Sequence, residues 1–71
     1  MVTIYLIDSD TKNVMRVIDR DYVPNIGDHI SLFYNGEECF CKVINKEYYI
    51  ADEEDCDNIY LELKIKSAYV R

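Results

Sequence analysis

Residues 23–43 read VPNIGDHISLFYNGEECFCKV and carry the strongest local structural signals in the chain. The dipeptide Asn35-Gly36 lies between two runs of alternating apolar and polar residues, 29–34 and 37–44. A type I′ turn needs positive φ at both of its central residues, which asparagine tolerates and glycine adopts freely. The pattern therefore predicts a β-hairpin with a two-residue loop.

A two-residue loop also fixes which residues face each other across this hairpin. Cross-strand partners share a face of the sheet. The expected pairs are Tyr34 with Glu37, Leu32 with Cys39, and Ile30 with Cys41. That face is apolar and is predicted to be core. The other face carries Phe33 and Phe40 among polar residues, and the sequence leaves open whether these rings are exposed or covered.

The N-terminal third of the chain predicts a second hairpin. Residues 2–8 alternate as strands do, the polar residues 9–13 suit a turn, and residues 14–19 are rich in β-branched side chains. A short helix over residues 14–19 is the alternative. The β-branched residues favour the strand.

The C-terminal half extends the sheet. The strand after Gly36 is expected to continue to Ile50 with a bend at Asn45-Lys46, and residues 59–66 alternate most cleanly of all. Tyr69-Val70 either closes the sheet or frays. Five or six short strands within residues 1–71 predict a single all-β domain, either a small antiparallel barrel or a strongly curled sheet.

One part of the chain resembles a known group of folds. The pattern P-x-x-G-D-x-I-x-L beginning at Pro24, followed by F-x-K-V-I beginning at Phe40, is similar to the entry of SH3-like small barrels. It resembles in particular short uncharacterised proteins of bacteria and their mobile elements. The resemblance implies an SH3-like barrel that acts as a binding module, and it carries over no functional residues.

Charge and composition limit the classes of partner. The formal net charge is −6, from 14 acidic against 8 basic residues, which disfavours binding to a phosphate backbone. No apolar run approaches the roughly 20 residues that cross a bilayer, and the N-terminus lacks the features of a signal peptide. Three cysteines suit reduced thiols better than a disulfide framework. A cytoplasmic protein that binds neither nucleic acid nor membrane is expected.

The sequence contains potential ligands for two metal sites, one for zinc and one for calcium, but neither site is expected. A zinc site would need His29 with Cys39, Cys41 and Cys56, but the hairpin register sends His29 to the face opposite Cys39. A calcium site could use the acidic segment 52–57. That segment lacks the glycine and ligand spacing of calcium loops, and acidic runs at loop tips commonly serve solvation. The sequence therefore predicts no metal or other cofactor.

Catalysis is also not expected. Cys56 lies between Asp55 and Asp57, whose negative charges should raise the pKa of its thiol and oppose a reactive thiolate. The chain contains no glycine-rich phosphate loop and no Gly-x-Ser-x-Gly motif. A non-enzymatic protein is predicted.

Two functional hypotheses remain. The first is a protein-interaction module, self-associating or binding another protein, that uses an aromatic patch on the central hairpin. Its candidate residues are Phe33, Phe40, His29, Tyr48, Tyr49 and Tyr60. The second is a small acidic inhibitor that imitates nucleic acid, with the carboxylates of segment 52–57 and the tyrosines Tyr48, Tyr49 and Tyr60 standing for phosphates and bases. The acids are spread over several loops, which favours the first hypothesis.

Overall fold

A computed structural model describes residues 2–50 and 57–70. Within this part of the chain there are five strands and no helix: β1 (Val2–Asp8), β2 (Val14–Arg20), β3 (His29–Tyr34), β4 (Glu37–Ile50) and β5 (Asp57–Val70). They form one sheet in the order β2-β1-β5-β4-β3. The all-β prediction is confirmed.

The central hairpin has the predicted register. Tyr34 faces Glu37, Leu32 faces Cys39, and Ile30 faces Cys41. The loop has positive φ at both of its residues, 55° at Asn35 and 78° at Gly36. These angles are those of the type I′ turn, whose twist matches that of the flanking strands.

Three of the four strand pairings are antiparallel. The N-terminal hairpin of β1 and β2 is confirmed, and the helical alternative for residues 14–19 is wrong. The prediction of a wholly antiparallel sheet is wrong at one pairing, because β1 runs parallel to β5, with Ile4 beside Ile59 and Leu6 beside Leu61. Alternation fixes which face of a strand is buried, but it does not fix the direction of the neighbouring strand.

One face of the sheet, here called the inner face, carries most of the core. The central strand β5 contributes side chains that are almost completely buried, and β1 and β4 flank it with others. The buried apolar residues are Ile4, Leu6, Met15, Leu32, Cys39, Cys41, Val43, Ile59, Leu61 and Leu63. The opposite face, the outer face, carries most of the polar residues.

The sheet is curled but not closed into a barrel. Its edge strands, β2 and β3, would lie about 19 Å apart in a flat five-stranded sheet. Instead, Nη2 of Arg16 on β2 donates a hydrogen bond of 3.0 Å to the carbonyl oxygen of Phe33 on β3. A side chain, not a ladder of backbone hydrogen bonds, therefore joins the two edges. Of the two predicted forms, the structure has the curled sheet.

Two β-bulges interrupt the ladder between β4 and β5. Ile44 is extra between Val43 and Asn45, and in β5 Lys66 is extra opposite the Phe40-Cys41 step. Each extra residue reverses the inward and outward alternation of the strand beyond it. The first bulge lies one residue before the bend predicted at Asn45-Lys46.

The turn between β1 and β2 is organised by Asp8, the only buried charged residue among those the structure describes. Its Oδ1 accepts a hydrogen bond from the backbone N–H of Asp10 at 2.9 Å, and its carbonyl accepts one from Lys12 at 2.7 Å. Lys12 takes a left-handed conformation with φ of 65°. The buried carboxylate is thus used to hold the turn.

Candidate interaction surface

Phe33 and Phe40 lie together on the outer face of the central hairpin. The register places Phe33 opposite Glu38 and Phe40 opposite Ser31, so the two rings are diagonal neighbours within reach of each other. Phe33 is 46% exposed and Phe40 is 37% exposed. The connector between β2 and β3 therefore does not cover them.

Tyr69 extends this pair, although the sequence did not mark it as a site residue. Its ring meets the ring of Phe40 edge-on, with centroids 5.6 Å apart and planes at 73°, and it is 60% exposed. Strict alternation through β5 would have placed Tyr69 on the inner face. The bulge at Lys66 turns it outward, opposite Glu38. We call Phe33, Phe40 and Tyr69 the aromatic patch.

His29 shares the outer face with the aromatic patch. It is exposed and lies opposite Lys42 at the start of β3. It is four residues from Phe33 along the strand, or about 13 Å. His29 therefore lies at the rim of the aromatic patch.

The three predicted tyrosines do not join the aromatic patch. Tyr60 is on the outer face and stacks on Tyr5, with ring centroids 4.9 Å apart. Tyr49 is exposed on the same face, opposite Asn58. Tyr60 is seven residues from Ser67, the partner of Phe40, and so about 23 Å away along β5.

Tyr48 is on the inner side of the sheet, because the bulge at Ile44 reverses the alternation of β4 beyond it. The ammonium group of Lys46 lies 5.3 Å from the centre of its ring. The same ammonium group donates a hydrogen bond to Asn25 Oδ1 at 3.3 Å. Tyr48 and Tyr49 thus face opposite sides and cannot contact one flat partner together.

A charged belt separates the two groups of outer aromatic residues. Lys12 pairs with Glu62 at 2.6 Å, and Asn45 donates to the other oxygen of the same carboxylate at 2.9 Å. Lys64 pairs with Asp10 at 3.3 Å. The hydrogen bonds from Asn45 and then Lys12 lower the pKa of the Glu62 carboxyl. This belt is a solvated, internally paired surface.

The two cysteines of the hairpin are buried thiols. Cys39 and Cys41 are 2% and 1% exposed. Burial raises the pKa of both, that of Cys41 to about 11, and the charge of Asp8 adds to the rise. Thiols of this kind stay protonated near neutral pH and are poor nucleophiles and metal ligands.

Among residues 2–50 and 57–70 there is no group of three His, Cys, Asp or Glu side chains that could hold a metal ion. Cys56 and the acidic residues 52–55 lie outside the described residues, as does the side chain of Asp57. The expectations that Cys56 is not a reactive thiol and that segment 52–57 holds no calcium therefore stay predictions.

The described residues include no helix with the length and apolar character needed to cross a bilayer. No protein-family model matches the chain, and no similar protein is found among curated proteins or solved structures. The resemblance to SH3-like barrels therefore stays a prediction, and a function can be inferred only from the residues of the site.

Proposed function

We propose that the protein is a non-enzymatic interaction module whose contact surface is the aromatic patch with His29 at its rim. The observation that carries the proposal is the edge-on contact of Phe40 with Tyr69 beside the exposed ring of Phe33. Three large rings therefore come from three neighbouring strands, with Phe40 in contact with Tyr69 and Phe33 diagonal to Phe40 across the hairpin. Aromatic residues of this kind are enriched at protein interfaces and commonly supply most of the binding energy.

The partner is another protein or a second copy of this chain. A patch of three rings is small, which suits a transient contact or a two-fold dimer in which the two patches face each other. In both cases the rings lose their water contact on binding while the polar outer face around them stays solvated. Hydrophobic burial then provides the driving force.

The test is a double substitution, Phe33→Ser with Phe40→Ser. The expected result is a folded protein that no longer self-associates or no longer captures its partner from the native host. Mass in solution measures the first, co-purification measures the second, and an amide NMR spectrum checks the fold. A variant that unfolds would show that the rings are needed as core, and the proposed site would be lost.

A matched control removes a comparable amount of exposed apolar surface elsewhere. Ile44 and Ile50 are 44% and 72% exposed and lie beyond the hairpin in β4. Ile44→Ser with Ile50→Ser should leave association unchanged. Equal loss in both double variants would mean that general surface hydrophobicity, not the aromatic patch, drives association.

A second proposal is an inhibitor that imitates nucleic acid. It rests on the net charge of −6 and on Tyr49 and Tyr60, which share the outer face beyond the charged belt. Partner binding by mimicry should weaken steeply as ionic strength rises, because charge steering dominates it. Binding through the aromatic patch should change little over the same titration.

A cytoplasmic location and a relation to SH3-like barrels belong to the same proposal. The location is supported by the free, buried thiols of Cys39 and Cys41. The relation is supported by the close approach of β2 and β3 at Arg16. Raised thiol pKa values at these two cysteines favour a non-enzymatic role.

A further inference from the structure

A groove of about 510 Å³ lies between the edge strands β2 and β3. Neither strand pairs with a further strand on this side in the part of the chain that the structure describes. The inner wall of the groove is apolar, with Leu6 and Ile18 on one side and Ile30 and Leu32 on the other. Edge strands with an apolar wall between them are the features that accept an added β-strand.

The reach of Arg16 sets an upper limit on the width of the groove. Arg16 reaches from β2 to the Phe33 carbonyl with a 3.0 Å hydrogen bond. An extended arginine side chain together with such a bond spans about 10 Å, which equals two spacings between neighbouring strands. At that limit, one extended chain placed midway would lie at hydrogen-bonding distance from both edges.

The β2 side of the groove has a specific chemical pattern. Arg16, Ile18 and Arg20 pair with Leu6, Ile4 and Val2 of β1, so all three share the inner face of β2. Both arginines are exposed and Ile18 is half-buried. The strand thus presents cation, apolar side chain and cation at every second position, with the two cations about 13 Å apart.

We propose that this groove binds an extended segment of a partner protein as a sixth strand, and that the segment has the pattern acid-x-apolar-x-acid. The two acids would lie opposite Arg16 and Arg20, where opposite charges on facing strands attract. The apolar residue would cover Ile18 and Ile30. The pattern reads the same in both directions, so it suits parallel and antiparallel addition equally.

Arg16 changes partner when the segment binds. In the structure its guanidinium satisfies the Phe33 carbonyl. A backbone N–H of the added strand can take over that carbonyl, which frees the guanidinium for a carboxylate and a charge-assisted hydrogen bond. The Phe33 carbonyl then has a hydrogen-bond partner in both states.

A second copy of this chain does not fit the pattern. The chain contains 14 acidic residues, but Glu53 and Asp57 are the only two that stand four positions apart, and the residue midway between them is Asp55. No segment of the chain therefore offers two acids with an apolar residue between them. The groove is complementary to a different protein. It shares Phe33 with the aromatic patch, whereas Phe40 and Tyr69 do not line it.

Arginines on the inner face of an edge strand can also serve only to prevent aggregation, since inward-pointing charge blocks strand addition. That role predicts that no peptide enters the groove. A peptide titration separates the two roles, because it asks whether a strand with the right charges is admitted.

The probe is a blocked heptapeptide, Thr-Glu-Thr-Val-Thr-Glu-Thr, added to the isotope-labelled full chain. We expect amide shifts confined to β2 and β3 and new cross-strand contacts between the peptide backbone and both edges. The first control peptide, Thr-Lys-Thr-Val-Thr-Lys-Thr, reverses the charges. The second, Thr-Thr-Glu-Val-Glu-Thr-Thr, turns the acids to the other face of the added strand. Each should bind about tenfold more weakly.

The matched protein variant is Arg16→Glu with Arg20→Glu, which should reverse the preference in favour of the lysine peptide. Arg16→Gln with Arg20→Gln should abolish the preference between the two peptides. This neutral variant replaces the glutamate variant as the test if the added negative charge weakens the fold. Phe40→Ser should bind the acidic peptide as the wild type does.

Three results would overturn the proposal. The first is equal affinity for all peptides, and the second is a set of shifts centred on Phe40 and Tyr69. The third is a concentration-dependent dimer whose β2 and β3 amides are already protected from exchange, since a second copy would then fill the groove.

Discussion

Cys41 is a thiol in a position where ionisation is unfavourable. It faces the core from β4, and burial, followed by the charges of Cys39 and Asp8, raises its pKa to about 11. In the unfolded chain the same thiol ionises near its ordinary pKa of about 8.5. Between these two pH values the unfolded state has lost a proton that the folded state keeps.

The free energy of unfolding should therefore depend on this residue at alkaline pH. The stabilising contribution is fully present below the ordinary thiol pKa and is lost as pH rises through about 11. We expect the stability difference between wild type and Cys41→Ala to shrink over that range, since other titrating groups are common to both. Urea unfolding at several pH values measures it, and parallel stability curves for the two proteins would contradict it.

The turn residues show how much a single dipeptide can determine. Asn35-Gly36 predicts the turn type, and the turn type predicts the register, which the structure confirms from Ile30 to Cys41. The inward direction of the cysteines and the outward direction of Phe33 follow directly. The exposure of the rings did not follow, because it depends on whether a distant segment covers them.

At the level of strands, the bulges mark the limit of sequence-based prediction. Alternation places Ile59, Leu61 and Leu63 inward, and the structure buries all three. A bulge has no period of its own, so the inward turn of Tyr48 and the outward turn of Tyr69 could not be predicted. The sequence therefore identified two of the three rings of the aromatic patch, Phe33 and Phe40, and missed Tyr69.

Deleting Lys66 tests the bulge directly. Lys66 is exposed and is the extra residue between the Ile65–Cys41 and Ser67–Phe40 pairs, so its removal leaves both pairs in the same register. We expect a loss of stability below about 1 kcal/mol, typical of a surface change. The contact of Tyr69 with Phe40 should persist.

Deleting Lys64 is the matched control, because it is a lysine of the same strand within a regularly paired stretch. Its removal would move Ile65 to the outer face and bring Lys66 inward against Cys41. We expect a loss of about 2–4 kcal/mol from the displaced apolar side chain and the buried charge. Denaturant unfolding of both deletions checks the prediction, and equal losses would mean that the ladder adjusts its register freely.

The whole molecule depends on one small core built around β5. The core has contributions from all five strands, yet β5 alone pairs with both halves of the sheet, with β1 on one side and β4 on the other. A chain of 71 residues seldom gains more than about 3–5 kcal/mol of net stability from such a core. A substitution that leaves one large cavity at β5 should therefore remove most of the free energy of unfolding.

Leu61→Ala is the sharpest test of this dependence. Leu61 is completely buried, lies beside Leu6 of β1, and is followed on the same face by Leu63. The truncation should cost about 3–5 kcal/mol, which is close to the entire stability, so the variant should be largely unfolded at 25 °C. Leu61→Met keeps the volume and should cost less than about 1.5 kcal/mol, with a cooperative transition retained. Circular dichroism and amide NMR distinguish the two outcomes. A cooperatively folded Leu61→Ala protein that loses less than about 2 kcal/mol would mean that the two halves of the sheet do not depend on β5 for their stability.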